Sequence, residues 1–397
     1  MKKLKSVLKI TVLVLSLLFL FTGCDYSKNE IKNRLIIQAV GVDSIENGVR
    51  VTLQTLNTDL TGNPNSAANT GDVINSMTVE GKTIAEAISS VSKISGKKPL
   101  LSQNKMIVFG KETAKQGLYP YLDYFIRNSE NRATVLVALS ATTAEDIVNT
   151  KMGESMLPAN LLEEIFYGKE YNTQVVRQEL FQFVNLLENP LSSTFLPVIS
   201  SEKNKTEKGE EGKYKMASVA IFEQDTLKKE IKEEDIMALL LLNNQLRGGF
   251  FSVEIPNYHS NATVQVIRCK TKVRTTIEKD APVYDVHVKM TISLTENETE
   301  HPFPDQKDYI NSVCQEGEKM LKTLLCKNLK EMLGENSYDP YQFQHRLTVE
   351  HPLYVRKNPE IFKMKQQKAK YHIAVTINVA NIGNGVQNIR IQPIAPL

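Results

Sequence analysis

The sequence predicts an α+β protein of two to three mixed α/β domains, with sheets flanked by helices. Three observations carry that prediction. Strand-like apolar runs alternate with segments of helical period between residues 31 and 150. Apolar–polar alternation dominates residues 251–294, and a wholly polar run at 201–213 separates the two regions. With 397 residues, 41% hydrophobic and 23% charged, the chain is globular in composition and long enough for more than one core.

The first 24 residues set the compartment. Lys2, Lys3, Lys5 and Lys9 precede an apolar run, Ile10 to Phe21, that ends on Thr22-Gly23-Cys24, the layout of a secretory signal peptide. As a helix that run would reach roughly 18 Å, whereas a bilayer needs about 20 residues. Residues 1–23 are therefore expected to be a removable signal and not a span. Cys24 follows small residues directly, similar to a bacterial lipobox, in which the thiol is acylated and the peptide is cut just before it. Phe21 stands where leucine is usual, with Leu20 one step further out. Cys24 is thus the expected lipidation residue, carrying a palmitate-type acyl group; the bland reading is cleavage elsewhere and a soluble secreted product.

Removal of residues 1–23 leaves 374 residues and takes four lysines from a formal charge of +3, so the mature chain sits near −1. The mature chain mixes both signs throughout, and nucleic acid is not an expected partner. Cys269, Cys314 and Cys326 cannot all pair internally. Cys314 and Cys326 fall about 18 Å apart in one predicted helix, too far for a disulfide. All three are expected as buried or half-buried thiols.

In chain order, the polar tether Asp25–Asn29 leads to a buried strand at Leu35–Asp43, and Val49–Leu56 alternates as its hairpin partner. Residues 57–76, rich in Asn, Thr, Gly and Ser, read as a loop of about 20 residues. Thr83-Ile84-Ala85-Glu86 has capping-box spacing, with Ile84, Ile88, Val91 and Ile94 on a helical stripe. Met106–Phe109 is the next strand, Glu112–Asn128 a helix through Leu118, Leu122, Phe125 and Ile126, Ala133–Leu139 a strand, and Thr143 the cap of a short helix. Pro158–Tyr167 and Gln174–Leu187 read as two further helices, making 158–200 a candidate small helical subdomain.

The polar run 201–213 is expected as a linker or exposed hairpin, dividing a first domain (24–200) from a second region (214–390) that has a candidate further division near 258. Within that region Ala217–Phe222 reads as a strand, Glu233–Arg247 as a helix, and Phe251–Ile255, Ala262–Arg268 and Val283–Leu294 as strands of a half-exposed antiparallel sheet. Asp305–Leu333 is the longest helix, ended by Gly334, and His372–Val379 is the last strand.

Chemistry-bearing patterns are sparse. Gly81-Lys82-Thr83 lacks the glycine that a phosphate loop needs five residues earlier, where Ser76 stands, so a capped helix start is the better account. No zinc-protease, nucleophile-elbow or dinucleotide motif occurs. His259, His287, His301, His345, His351 and His372 are scattered. Glu163-Glu164 and Glu233-Glu234-Asp235 read as solvated acids near helix starts. Arg356, Lys357, Lys363, Lys365, Lys368 and Lys370 form a basic stretch, read as solvated or facing anionic headgroups. No catalytic, cofactor-binding or metal residue is expected, and no cofactor.

In order along the chain, Cys24-Asp25, Glu30-Ile31, Leu35 to Gly41-Val42-Asp43, Glu80-Gly81-Lys82-Thr83-Ile84, Lys105 to Gly110, Ala220-Ile221-Phe222, Leu239 to Gly248-Gly249-Phe250, Asp339-Pro340-Tyr341-Gln342-Phe343 and His372–Val379 together resemble the Ger(x)C (GerAC-like) lipoproteins, the C subunits of spore germinant receptors. The family tryptophan after the cysteine is absent. The resemblance implies a non-enzymatic subunit in spore germination, held by its lipid at the outer face of the inner spore membrane beside membrane-embedded A and B subunits. It leaves open whether this subunit meets a small-molecule germinant. The rival reading is a lipid-anchored solute-binding protein of a transporter.

Overall fold

The computed structural model describes residues 33–56, 74–150, 158–168, 171–206, 209–298, 306–357 and 369–381. The described residues build two sheets with helices against them, the α+β class that the sequence predicts.

The first sheet comprises β1 (Arg34–Ile45), β2 (Gly48–Leu56), β3 (Ile74–Gly81), β4 (Lys98–Leu100), β5 (Met106–Phe109), β6 (Leu136–Ser140), β7 (Thr194–Thr206), β8 (Gly209–Glu223) and β9 (Thr226–Lys232). Its order is β3-β2-β1-β5-β6-β7-β8-β9, with β4 also paired to β1. The parallel centre, β1 to β5 to β6 to β7, explains why these strands read as unbroken apolar runs: helices cover both faces. On one face Ile107, Phe109, Val137 and Leu139 meet α1 (Ile84–Ser95), α2 (Lys111–Gln116), α3 (Tyr119–Arg127) and α6 (Leu180–Leu187). On the other, Met106, Val108, Leu136 and Ala138 meet α4 (Ala144–Val148) and α5 (Pro158–Tyr167).

The second sheet has the order β10 (Phe250–Ile255), β11 (Ser260–Glu278), β12 (Ala281–Asn297), β13 (Lys370–Asn381). Its inner face packs on α7 (Glu233–Leu242) and α8 (Gln306–Leu329), where Leu239, Leu241, Val313, Leu321, Leu325 and Leu329 meet Val286, Val288, Met290 and Ile292. Gly317 lets α8 lie close on β13, since a Cβ there would be 2.9 Å from the Ile377 Cδ1. Two short helices, α9 (Phe343–Glu350) and α10 (Pro352–Lys357), follow.

The two halves share strand β8. Its Ala220 and Phe222 belong to the first core, while Val219 and Ile221, with Phe195 of β7 and Ile231 of β9, belong to the core of the second sheet. The polar stretch that the sequence marks as linker or hairpin lies in an antiparallel pairing of β7 with β8 that runs from Thr194↔Phe222 to Thr206↔Gly209 with a register shift between Val198 and Ile199, and the first sheet continues past it to β9.

Several elements differ from the sequence reading for identifiable reasons. The segment 175–179 is not helical, and α6 starts only at Leu180, because Val137 N–H donates to Gln178 O and Leu180 N–H to Val135 O, beside β6. Residues 112–128 form two helices, broken at Gly117 (φ 115°), after which Leu118 N–H donates to Asp225 O. Helix α7 stops at Leu242 and does not reach Arg247; Asn243 Nδ2 folds back onto Leu239 O, and Asn244 takes φ 54°. Gly334 does not end the long helix, which runs on as a π turn over Lys330–Glu335. Ile94 and Ile126, placed on buried stripes by their spacing, are exposed, and Cys326 is an exposed thiol where a covered one is expected. Of the 57–76 loop, residues 57–73 lie outside the described set, and β3 already begins at Ile74.

Candidate functional site at the junction of the two halves

Cys24 lies outside the described residues. Asp25, Glu30, Ile31, His301, Lys363, Lys365 and Lys368 likewise lie outside them, and several of the positions that are described prove to be joints. Asp43, at the end of β1, accepts from Ala144 N–H (2.8 Å) and Glu145 N–H (2.9 Å), one carboxylate oxygen each, and so caps α4 across the sheet. Burial pushes its carboxyl pKa up, against the pull of those two amides. Gly110 makes room for it, since a Cβ there would lie 1.9 Å from Asp43 Oδ1. At Thr83 the expected cap is realised: Glu86 N–H donates to the Thr83 hydroxyl (3.2 Å) and Lys82 N–H to the Glu86 carboxylate (2.9 Å).

The Asp339–Phe343 segment is the principal joint between the halves. Asp339 is 2% exposed. Its carboxylate accepts from Tyr341 N–H (3.2 Å) and Gln344 N–H (2.7 Å), while its own N–H donates to Ser193 Oγ (3.0 Å) and its carbonyl accepts from Ser193 N–H (3.0 Å), just ahead of β7. Desolvation raises the Asp339 pKa to about 6, with the backbone N–H groups opposing it. Phe343 is fully buried against Tyr284 and Tyr341, with ring centroids at 4.8 and 5.8 Å. Nearby, Asp235 departs from the solvated-acid reading: it is 7% exposed, accepts from Lys327 Nζ at 2.9 Å on both oxygens, and accepts from Asn328 Nδ2 at 3.0 Å.

Between the non-helical 175–179 segment with the first turn of α6 and the end of α7 lies a polar recess of about 220 Å³, lined by Val175, Arg177, Glu179, Gln182, Leu240, Gln245 and Arg247. The Arg177 guanidinium stacks 4.3 Å over the Tyr167 ring and donates to Glu179 Oε1 at 2.6 Å, and Arg247 Nη1 donates to Asn244 O at 3.0 Å. With two guanidiniums, one carboxylate and two amides, the recess can hold small polar species; the side chains lining it include no nucleophile. No local pattern links Arg177 with Arg247, which lie on different halves of the chain. Among the described residues no group of three or more His, Cys, Asp and Glu could hold a metal ion. Exposed His372 Nδ1 sits 3.0 Å from Oδ1 of half-buried Asp285 on the neighbouring strand.

Family models place these joints in context. Residues 27–201 match the spore germination protein N-terminal domain, and residues 217–383 match the spore germination B3/GerAC-like C-terminal domain. The chain belongs to the GerAC-like spore germination family. Within it, the chain is 23% identical over 390 residues to spore germination protein B3 of Bacillus subtilis (strain 168), covering 96% of this chain and 100% of that one. It is 24% identical over 303 residues to YfkR of the same organism, covering 75% and 77%. The crystal structure of the GerBC protein superposes with a TM-score of 0.56 at 18% identity, covering 86% of this chain and 97% of GerBC. The likeness to GerBC is one of fold.

Proposed function

We propose that this chain is the lipid-anchored C subunit of a spore nutrient germinant receptor, acting in spore germination with membrane-embedded A and B subunits at the outer face of the inner spore membrane. The observation that carries the reading is the ordered match of both halves to the GerAC-like family. The subunit is non-enzymatic in this reading, and its role is assembly and positioning.

Among the described residues no helix is long and apolar enough to cross a membrane, so the reading assigns attachment to the acylated Cys24. From Cys24 to the start of β1 at Arg34 the chain can span at most about 35 Å, at roughly 3.5 Å per residue. The first sheet is thereby kept within a few nanometres of the bilayer and of embedded partners. Cys24→Ser is expected to leave circular dichroism and the unfolding midpoint unchanged while moving the protein from the membrane to the soluble fraction. Undiminished membrane retention of that variant would refute the lipid role.

A further inference from the structure

The outward face of the second sheet carries a concentration of positive charge that no joint or core requires. Along β11 the side chains of Arg268, Lys270, Lys272 and Arg274 are exposed, alternating with buried Thr271 and Val273. On the neighbouring strand Lys289 and His287 are exposed as well, and the register sets Lys270 opposite Lys289 and Lys272 opposite His287. From Arg268 to Arg274 the row runs about 20 Å, at roughly 3.4 Å per residue. Across positions 268–276, 285–291 and 372–378 of the three strands, Asp285 is the single carboxylate; it faces Arg274 across the strand pair and contacts His372.

Two features argue that this charge has a use. Like charges directly opposite each other on a strand pair destabilise it, so the Lys270–Lys289 pairing works against the fold. No ion pair within the described chain ties down Arg268, Lys270, Lys272 or Lys289. The composition also discriminates between partners. Protein interfaces favour aromatic side chains at their centres and are depleted in lysine. This face instead offers lysine and arginine among Thr291, Ala374, Thr376 and Asn378, with Ile267, half exposed at the bulge beside Arg268, adding an apolar side chain at its margin. A broad, pleated cationic surface without an aromatic centre suits a plane of anionic headgroups.

We propose that this sheet face is an electrostatic docking surface for an anionic phospholipid bilayer. It deepens the lipid-anchor reading: the acyl group would hold one end of the chain, and the charged face would set the orientation of the second half against the membrane.

The test uses the chain from residue 25 to 397, which retains every strand, helix and core side chain described above and lacks the acylated cysteine. It is floated with vesicles of phosphatidylcholine and phosphatidylglycerol in equal parts, and with phosphatidylcholine alone. Binding is expected only to the anionic vesicles, falling as salt rises. The variant K270Q/K272Q/K289Q is expected to bind about a hundredfold more weakly, from about 1 kcal/mol per cation near the surface. Its unfolding midpoint should match or exceed that of the parent, and K270R/K272R/K289R should retain binding. Equal recovery on both vesicle types, undiminished binding by the glutamine variant, or capture by polyglutamate without any vesicle binding would overturn the proposal. Because Cys24 is absent from this chain, failure here leaves the outcome of the Cys24→Ser fractionation untouched.

Discussion

Asp339→Ala is expected to lower the stability of the folded chain by roughly 3–5 kcal/mol. The alanine leaves the Tyr341 and Gln344 N–H groups without their acceptor inside a fully buried loop, each at a cost of about 1–3 kcal/mol. It also loosens the loop that presents Phe343 to Tyr284 and holds Ser193 at the start of β7. Asp339→Asn is more informative. It keeps one acceptor oxygen for Tyr341 N–H and turns an amide donor towards Gln344 N–H, so a smaller loss is expected. The pH profile separates the variants further. The folded-state pKa of Asp339, about 6, lies above its unfolded value near 3.8. Between about pH 4 and pH 6 the unfolded chain releases this proton while the folded chain keeps it. Stability from this group is therefore full below about pH 4, falls as pH rises, and is lost above about pH 6, by on the order of 3 kcal/mol. Urea midpoints measured from pH 4 to pH 7 should show that fall in the wild type, with a shallower slope in Asp339→Asn.

Gly249→Ala is expected to cost roughly 2–4 kcal/mol, measured by the same urea midpoints. The residue sits at φ 105°, where an L side chain is strained, and an added Cβ would come within 2.5 Å of Thr173 N and 2.7 Å of Asn172 C. Those contacts are backbone on the other half of the chain and cannot rotate away. Gly249 also ties β10 to β11, through Val266 N–H donating to its carbonyl (2.8 Å), while the Thr173 hydroxyl donates to Phe250 O (3.3 Å). Gly96→Ala is the control: Gly96 also has positive φ (67°), but a Cβ there meets nothing within 4 Å, so only the backbone strain of about 1–2 kcal/mol should remain. The excess loss at Gly249 measures the close approach of the two halves.

What the sequence revealed follows locality. The capped starts at Thr83 and Thr143 and the alternation of β11 and β12 are signals contained in a few neighbouring residues, and they were legible. The missed strands gave mixed local signals: β9, Thr-Leu-Lys-Lys-Glu-Ile-Lys, is an edge whose lysines mask its pairing, while β7 joins a short apolar stretch, Phe195–Ile199, interrupted by Pro197 and read inside a helical subdomain, to a wholly polar far half. The non-helical 175–179 stretch took its conformation from its bonds beside β6, a tertiary contact that its own apolar spacing could not announce. Asp339 and Phe343 were visible as a family segment, but their pairing with Ser193 and Tyr284 joins residues far apart in sequence. The cationic row on β11 was present as Arg268, Lys270, Lys272 and Arg274 at a spacing of two. Only the register with β12 brings Lys289 to it.

The central claim, that this chain is a working subunit of a nutrient germinant receptor, is tested most directly by the germination of spores that lack it. In a background without a redundant receptor, spores carrying a clean deletion should fail to respond to at least one nutrient germinant, while vegetative growth stays normal. A full response of those spores to every nutrient to which the parent responds would contradict the account.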